Sequence, residues 1–232
     1  MPSVSLCVIA KDEARVLPDM FRSVSGVVDE IVFVDTGSTD NSVAIARAEG
    51  AKVVHYEWND DFSAARNKAL ESSSGDWILV LDCDERLAPG AGAVIRQAVD
   101  EEGFELGMLP LYNATRSDAS PEEILSGVAC DEAPTLLPRL LRRDPDLRWT
   151  GRVHESVSEW VTSHNKRIQK IDAPILHLGN AHDIVEAKDK LNRNWAFLRR
   201  RCAEEPDNPV MWSHLARVSL RADCPEEAWE AA

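Results

Sequence analysis

Short apolar runs alternate with segments of helical spacing through the first 86 residues. Ser5-Leu6-Cys7-Val8-Ile9-Ala10, Ile31-Val32-Phe33-Val34, residues 52–56 and Trp77-Ile78-Leu79-Val80-Leu81 are mostly apolar and end in polar residues. That is the pattern of strands covered on both faces. Between them, residues 14–25 place Val16, Leu17, Met20, Phe21 and Val24 at helical spacing, with Pro18 in the first turn, where proline is tolerated. A second helix covers residues 42–49, capped by the turn Thr36-Gly37-Ser38-Thr39-Asp40 and stopped by Gly50. A third opens at Asp61-Phe62-Ser63, with Ser63 as its cap, and runs to Leu70. The alternation predicts an α/β fold: a mostly parallel sheet with helices on both faces and right-handed crossovers.

The pattern changes after Arg86. Residues 90–102 read as a helix. Residues 106–112 read as a strand in which Pro110 marks an edge or a bend. Residues 118–134 are polar, acidic and turn-rich, and are expected to form a mobile excursion. Strand character returns at 136–142 and 171–178, so this half is expected to form a mixed β region beside the parallel one. From residue 183 onward the chain reads as helical, with Pro206-Asp207-Asn208-Pro209 as a break. Helices are expected at 188–205, 210–221 and 225–232. Trp212, Leu215, Ala216 and Ala228 fall on tetratricopeptide positions, although Ala216 and Ser219 fill its Gly and Tyr places. One and a half units are too few for a solenoid. The expected division is a domain at 1–180 and a helical, tetratricopeptide-like tail at 181–232.

Composition narrows the function classes. A formal net charge of −14 argues against sequence-neutral nucleic-acid binding. The five cysteines have no paired spacing, which argues against a zinc cluster or a disulfide framework and fits a reducing compartment. No apolar stretch approaches the ~20 residues of a membrane span. The first residues lack a signal-peptide pattern, so the expected location is the cytoplasm, without a membrane span but open to peripheral association.

The chemistry gathers where strands end. In a doubly wound sheet, Lys11-Asp12-Glu13, Asp35-Thr36-Gly37-Ser38, Ala65-Arg66-Asn67 and Asp82-Cys83-Asp84 come to one carboxyl edge, where such folds bind ligands. Two carboxylates one residue apart repel unless a cation joins them, and an oxygen-rich site suits magnesium or manganese holding a diphosphate. Asp35 can accept from a base N–H, Glu13 can hold a ribose hydroxyl, Arg66 can reach a phosphate, and Asp84 with Asp82 can hold the metal. Asp12 reads as a helix cap. Cys83 lies between acids that raise its pKa and is a poor nucleophile.

These segments resemble family 2 glycosyltransferases over residues 3 to about 180. The branch they most resemble includes lipopolysaccharide-core and peptide S-glycosyltransferases with tetratricopeptide tails. Lys11-Asp12-Glu13 stands where the family usually has Lys-Asn-Glu. The resemblance implies a GT-A fold, a nucleotide-sugar donor (a UDP-sugar by default), a divalent metal and inversion at the anomeric carbon. By motif position it assigns Asp35 and Glu13 to the nucleoside, Arg66 to the diphosphate and Asp84 to the metal, and Asp82 is counted with the donor-binding residues. Gly151-Arg152-Val153-His154-Glu155 looks like the branch's Gly-x-Val-His-Glu segment, and His177 matches a late histidine that completes the metal site.

An acceptor hydroxyl needs a base in reach. Glu155 is the candidate, with Glu85 behind it; the alternative is that Glu155 pairs with Arg152 or Arg148. The run Arg139, Arg142, Arg143, Arg148 and Arg152 reads as a solvated strand face or as a hold for anions. Trp58 and Trp149 read as core or as stacking surfaces. The partners implied are the nucleotide-sugar and an acceptor saccharide, lipid or peptide, with the helical tail able to pair two chains or dock a protein. A nucleotidyltransferase is a rival, but residues 10–15 lack the glycine of its phosphate loop. A non-catalytic adaptor is a rival of another class, opposed by the intact acids at Asp35, Asp82 and Asp84.

Overall fold

A computed structural model of the 232-residue chain describes residues 1–101, 103–130, 132–179 and 187–231, without the side chains of 187–194 and 221. The parallel half runs β1 (Val4–Ala10), α1 (Leu17–Val24), β2 (Glu30–Asp35), α2 (Ser42–Ala48), β3 (Lys52–His55), α3 (Phe62–Ser72) and β4 (Trp77–Val80). The chain continues through β5 (Glu85–Leu87), α4 (Ala91–Asp100), β6 (Leu106–Asn113), α5 (Pro121–Leu125), β7 (Thr135–Arg142), α6 (Ser158–Ser163), β8 (Ile168–Lys170) and β9 (Ile175–His177). Three helices follow: α7 (Ala187–Glu204), α8 (Pro209–Arg221) and α9 (Pro225–Ala231).

Among the described residues the strands form one nine-stranded sheet in the order β3-β2-β1-β4-β7-β6-β9-β5, with β8 also on β6. β1 pairs in parallel with β2 and β4, whereas β7 joins β4 antiparallel. The mixed β region is therefore a continuation of the nucleotide-type sheet and not a neighbour of it. Alternation along the strands divides the core. Leu6, Val8, Phe33 and Leu79 pack with Met20, Phe21 and Ile95 on one face. Cys7, Val32, Ile78 and Val80 pack with Ala69, Leu70, Trp149 and Trp160 on the other. Both faces of β4 are covered, which is why its sequence is a continuous apolar run.

Several expectations are corrected. Pro110 sits inside β6, an interior strand. Met108 O accepts from Ile171 N and Ala114 N donates to His177 O, so residues of this parity turn toward β8 and β9. β8 pairs only as far as Met108 and β9 begins at Leu111, so the missing N–H of Pro110 faces the gap between them. Residues 118–130 are held by α5, whose Ser120 and Glu123 form a reciprocal capping box, with Ile124 and Ala129 buried. The cap of α3 is Asp61, which accepts from Ala64 N; Ser63 only donates to Asp61. Asp12 caps no helix: it adopts φ +56° and accepts from the Thr39 and Asp40 amides.

The helical reading of the tail holds where it is described. Residues 180–186, and with them the 180/181 boundary, lie outside the described residues. Leu198, Cys202, Met211, Leu215 and Ala231 form a third apolar cluster that also takes in Val153 from the sheet-bearing part. No helix among the described residues is long and apolar enough to cross a membrane. All five cysteines are unpaired.

Candidate active site

β1 lies between β2 and β4, and the direction of strand order reverses across it. Crevices form at the carboxyl ends of strands at such a point. A pocket of about 570 Å3 opens there, lined by Glu13, Arg66, Asp82, Asp84, Glu155 and His177 among others. Six of the seven sequence-nominated residues therefore meet in one cavity.

The seventh, Asp35, stands behind it. Its carboxylate is buried at the end of β2, accepting from Ser38 N at 3.0 Å on one oxygen and lying 3.1 Å from His55 Nδ1 on the other. Burial raises its pKa, but the bonds from Ser38 and His55 outweigh this and hold it below the usual carboxylate value. The loops after β1 and β2 are stapled together here. Asp12 N donates to Ser38 Oγ, Glu13 N to Ser42 Oγ and Ala14 N to Asp40 Oδ2. That lattice fixes the backbone that presents Glu13.

Arg66 is the hub of the opposite wall. It is 7% exposed, lies 5.3 Å over the Trp149 ring, donates from Nη2 to Asp82 at 2.8 Å and from Nε to Glu155. The expected partners of Glu155, Arg152 and Arg148, are not its partners: Arg152 meets Glu204 and Arg148 meets backbone carbonyls. Arg139 reaches Asp82 at 3.2 Å and also Glu85. Arg139 is thus buried beneath the acids and not on a solvated face. Its recessed position desolvates Asp82, but Arg66 and Arg139 outweigh that and hold its pKa well below the ordinary value. Glu85 is different. Burial pushes it up to about 7 against the pull of Arg139, with Asp82 adding to the rise. At 2% exposed and tied to Arg139, Glu85 is not placed to meet an acceptor. Trp149 packs into the core and Trp58 edge-on against Phe62 with centroids 4.8 Å apart, and both also line the pocket.

Asp84 and His177 come together through strand register. β5 follows Asp84 at once and pairs with β9, setting Glu85 opposite His177, while Leu178 N donates to Asp84 O. Asp84 Oδ2 lies 3.5 Å from His177 Nε2. His177 Nδ1 lies 2.7 Å from Asn113 Oδ1, an acceptor, so Nδ1 carries its hydrogen and Nε2 is turned to Asp84. Burial lowers the His177 pKa, but the bond and charge of Asp84 more than reverse this, so it is raised. Gly179 completes the cradle: a Cβ there would run into Asp84 Oδ2 and stand 3.0 Å from His177 Nε2.

One carboxylate, one oriented imidazole and a residue with no side chain make a donor set that could hold a divalent cation. Among the described residues no group of three or more His, Cys, Asp and Glu side chains forms a closed cage. Cys83 is buried, and burial followed by Glu13, Asp82 and Asp84 raises its thiol pKa well above normal, as expected.

Three participants were not nominated. Asn113 orients His177. Asn67 grips the Trp149 backbone at both ends, accepting from its N at 2.8 Å and donating to its O at 2.9 Å. Arg201, from the tail, donates to Val153 O and His154 O. Asn67 adjoins a nominated motif residue, but nothing local in the sequence links Asn113 or Arg201 to the pocket.

An α/β sheet with arginine, acids and a metal-type pair at this crevice has the architecture of the GT-A glycosyltransferases. The chain belongs to glycosyl transferase family 2, whose family model matches residues 5–123. It is 36% identical over 227 residues to a TPR repeat-containing protein of Synechococcus elongatus, covering 95% of this chain and 53% of that protein. It is 26% identical over 233 residues to the SPbeta prophage-derived glycosyltransferase SunS of Bacillus subtilis, covering 98% of this chain and 51% of that one. The chain thus spans about half the length of these curated relatives. Its fold is shared with S. aureus TarS 1–349 in complex with UDP-GlcNAc, at a TM-score of 0.57 and 16% identity over 99% of this chain and 90% of that one.

Proposed function

We propose that the chain transfers a sugar from a nucleoside diphosphate donor, a UDP-sugar by default, to an acceptor saccharide, lipid or peptide. Transfer inverts the anomeric carbon and uses Mn2+ or Mg2+. The observation that carries this reading is the meeting of Arg66, the Asp84–His177 pair and Glu155 in one pocket at the β1/β4 crevice.

In this reading Glu13 holds the ribose, and Asp35 takes a base N–H once the exposed His55 turns aside. Asp84 and His177 would hold the cation, which would supply positive charge to the leaving diphosphate. Arg66 faces the same charge. Its guanidinium is engaged by Asp82 and Glu155, and a diphosphate competes for it, loosening Glu155 from its ion pair. The acceptor oxygen then attacks the anomeric carbon from the face opposite the diphosphate, and the sugar–oxygen bond breaks with its electron pair leaving on the nucleotide. Glu155 takes the acceptor proton.

Calorimetry with UDP tests the reading, with and without Mn2+, on wild type and Asp84→Ala. Manganese should tighten UDP binding in the wild type, and the substitution should abolish that gain. Outer-shell partners alone change metal affinity by about 10–100-fold, so loss of a direct ligand should do at least as much. If no nucleoside diphosphate binds with Mn2+ present, the transferase reading falls.

A further inference from the structure

We infer that the C-terminal helices are part of the transfer site, and that Arg201 of α7 is a positioning residue for the loop that presents Glu155. The inference rests on the transferase reading and names a device inside it.

Arg201 is 6% exposed although it carries a full charge. Its Nη1 donates to Val153 O and to His154 O, the latter at 3.1 Å, and its Nε donates to Glu205 at 3.0 Å. A buried guanidinium is tolerated only when so partnered. Beneath it lies Gly151, at φ +91°. A Cβ on Gly151 would collide with the guanidinium, coming to 2.6 Å from Nη1. His154 is also left-handed, at φ +51°, and its ring stacks on His214 of α8 with centroids 4.1 Å apart and planes 8° apart. Val153 between them packs into the apolar cluster of Leu198, Met211 and Leu215.

Left-handed backbone at a non-glycine residue is strained and persists only where the surroundings over-determine it. At Val153 and His154 the over-determining groups come from the tail. The sheet side contributes the Thr150–Ser156 bridge, the bond from Phe62 N to Arg152 O and the Arg66–Glu155 pair. Glu155 lies between the bridge and the tail clamp, and a displacement of about 1 Å at a reacting group costs on the order of 10²-fold in rate.

A role in docking the tail alone would leave the chemistry untouched, and the two roles separate by experiment. The full chain is compared as wild type, Arg201→Ala, Arg201→Lys, Glu155→Gln and the Arg201→Ala/Glu155→Gln double variant. UDP binding with Mn2+ is measured by calorimetry, donor turnover by hydrolysis of UDP-glucose and UDP-GlcNAc, and loop order by amide hydrogen exchange at residues 151–156. Arg201→Ala should leave UDP affinity within about threefold, lower turnover by about 10²-fold at saturating donor, and speed exchange at 151–156.

Arg201→Lys restores part of the turnover, because an ammonium keeps one charged donor for the carbonyls but lacks the rigid Nε arm that is held by Glu205. In the Glu155→Gln background the Arg201 substitution should add almost nothing, since it acts through Glu155. Unchanged exchange at 151–156, or an additive loss in the double variant, overturns the inference. Absence of UDP binding and turnover in the wild type overturns the transferase reading instead, and the exchange data then decide the clamp by themselves.

Discussion

The two walls of the pocket are built by different means. The wall at the ends of β1 and β2 is a lattice of short backbone-to-side-chain bonds between the loops after those strands, made by Asp12, Ser38, Asp40 and Ser42. Each partner lies at the end of one of two adjacent parallel strands, so folding the sheet brings them together. The facing wall, residues 149–155, is gripped from afar: by Asn67 of α3, by Arg66, and by Arg201 and His214 of the tail. The first wall is a by-product of the sheet. The second depends on a separate apolar cluster, so chemistry and nucleotide binding should respond to different mutations.

Glu155→Gln puts the greatest demand on that separation. Transfer should fall by about 10²–10⁴-fold, the usual contribution of a general base, while UDP affinity stays within a few-fold. A matching loss of UDP affinity would show the walls to be one unit. Cavity variants sharpen the same point. Leu79→Ala and Leu215→Ala each remove a buried side chain and should cost about 2–5 kcal/mol in urea unfolding. Leu79 lies in the sheet core and its loss should weaken UDP binding and transfer together; Leu215 lies in the tail cluster and its loss should reduce transfer first.

Asn67→Ala strands the Trp149 amide and carbonyl, and should cost about 1–3 kcal/mol with a fall in turnover larger than the change in UDP affinity. Asp12→Ala removes one loop staple, and should lower stability by about 1 kcal/mol and UDP affinity modestly, leaving turnover at saturating donor intact.

The smallest effect is pH dependence at the second wall. Partial desolvation in the stack, then His214, with Arg201 and Arg217 adding and Glu155 opposing, holds the His154 pKa at about 4 against an ordinary 6.5. Between those values the unfolded chain binds the proton and the folded chain does not, so stability declines as pH falls through that window. His154→Phe keeps a ring on His214 without the titration. Its urea midpoint relative to wild type should therefore improve from pH 7 to pH 5. The same offset at both pH values would mean that the stack does not resist protonation.

The strands of the parallel half and their helices were legible from apolar runs that stop at polar residues, and Asp82 and Asp84 stand where one such run stops; Arg66 was legible from its place early on a helix, Glu13 from the loop after the first strand, and Glu155 and His177 only from their likeness to family motifs. The Asp61 cap was missed because Ser63, also a capping residue, competes two positions on. Pro110 was misjudged because strand edge and strand gap look alike in sequence; only the register of β8 and β9 separates them. The order in residues 118–130 was hidden because its capping box and two buried apolar residues are too sparse to show periodicity.

By itself, then, the sequence determined the alternation that makes a parallel sheet, and with it which carboxylates and which arginine stand at the carboxyl edge. Strand ends converge by topology, and topology follows from local pattern. Only the tertiary structure decided how those groups are used: that Arg66 spans Asp82 and Glu155, that Asn113 aims His177 at Asp84, that Glu85 is buried against Arg139, and that Arg201 reaches from the tail to the Glu155 loop. Those pairings join residues far apart in the chain through side chains a few ångströms long. No local periodicity encodes them, because they exist only once the packed cores have set the distances.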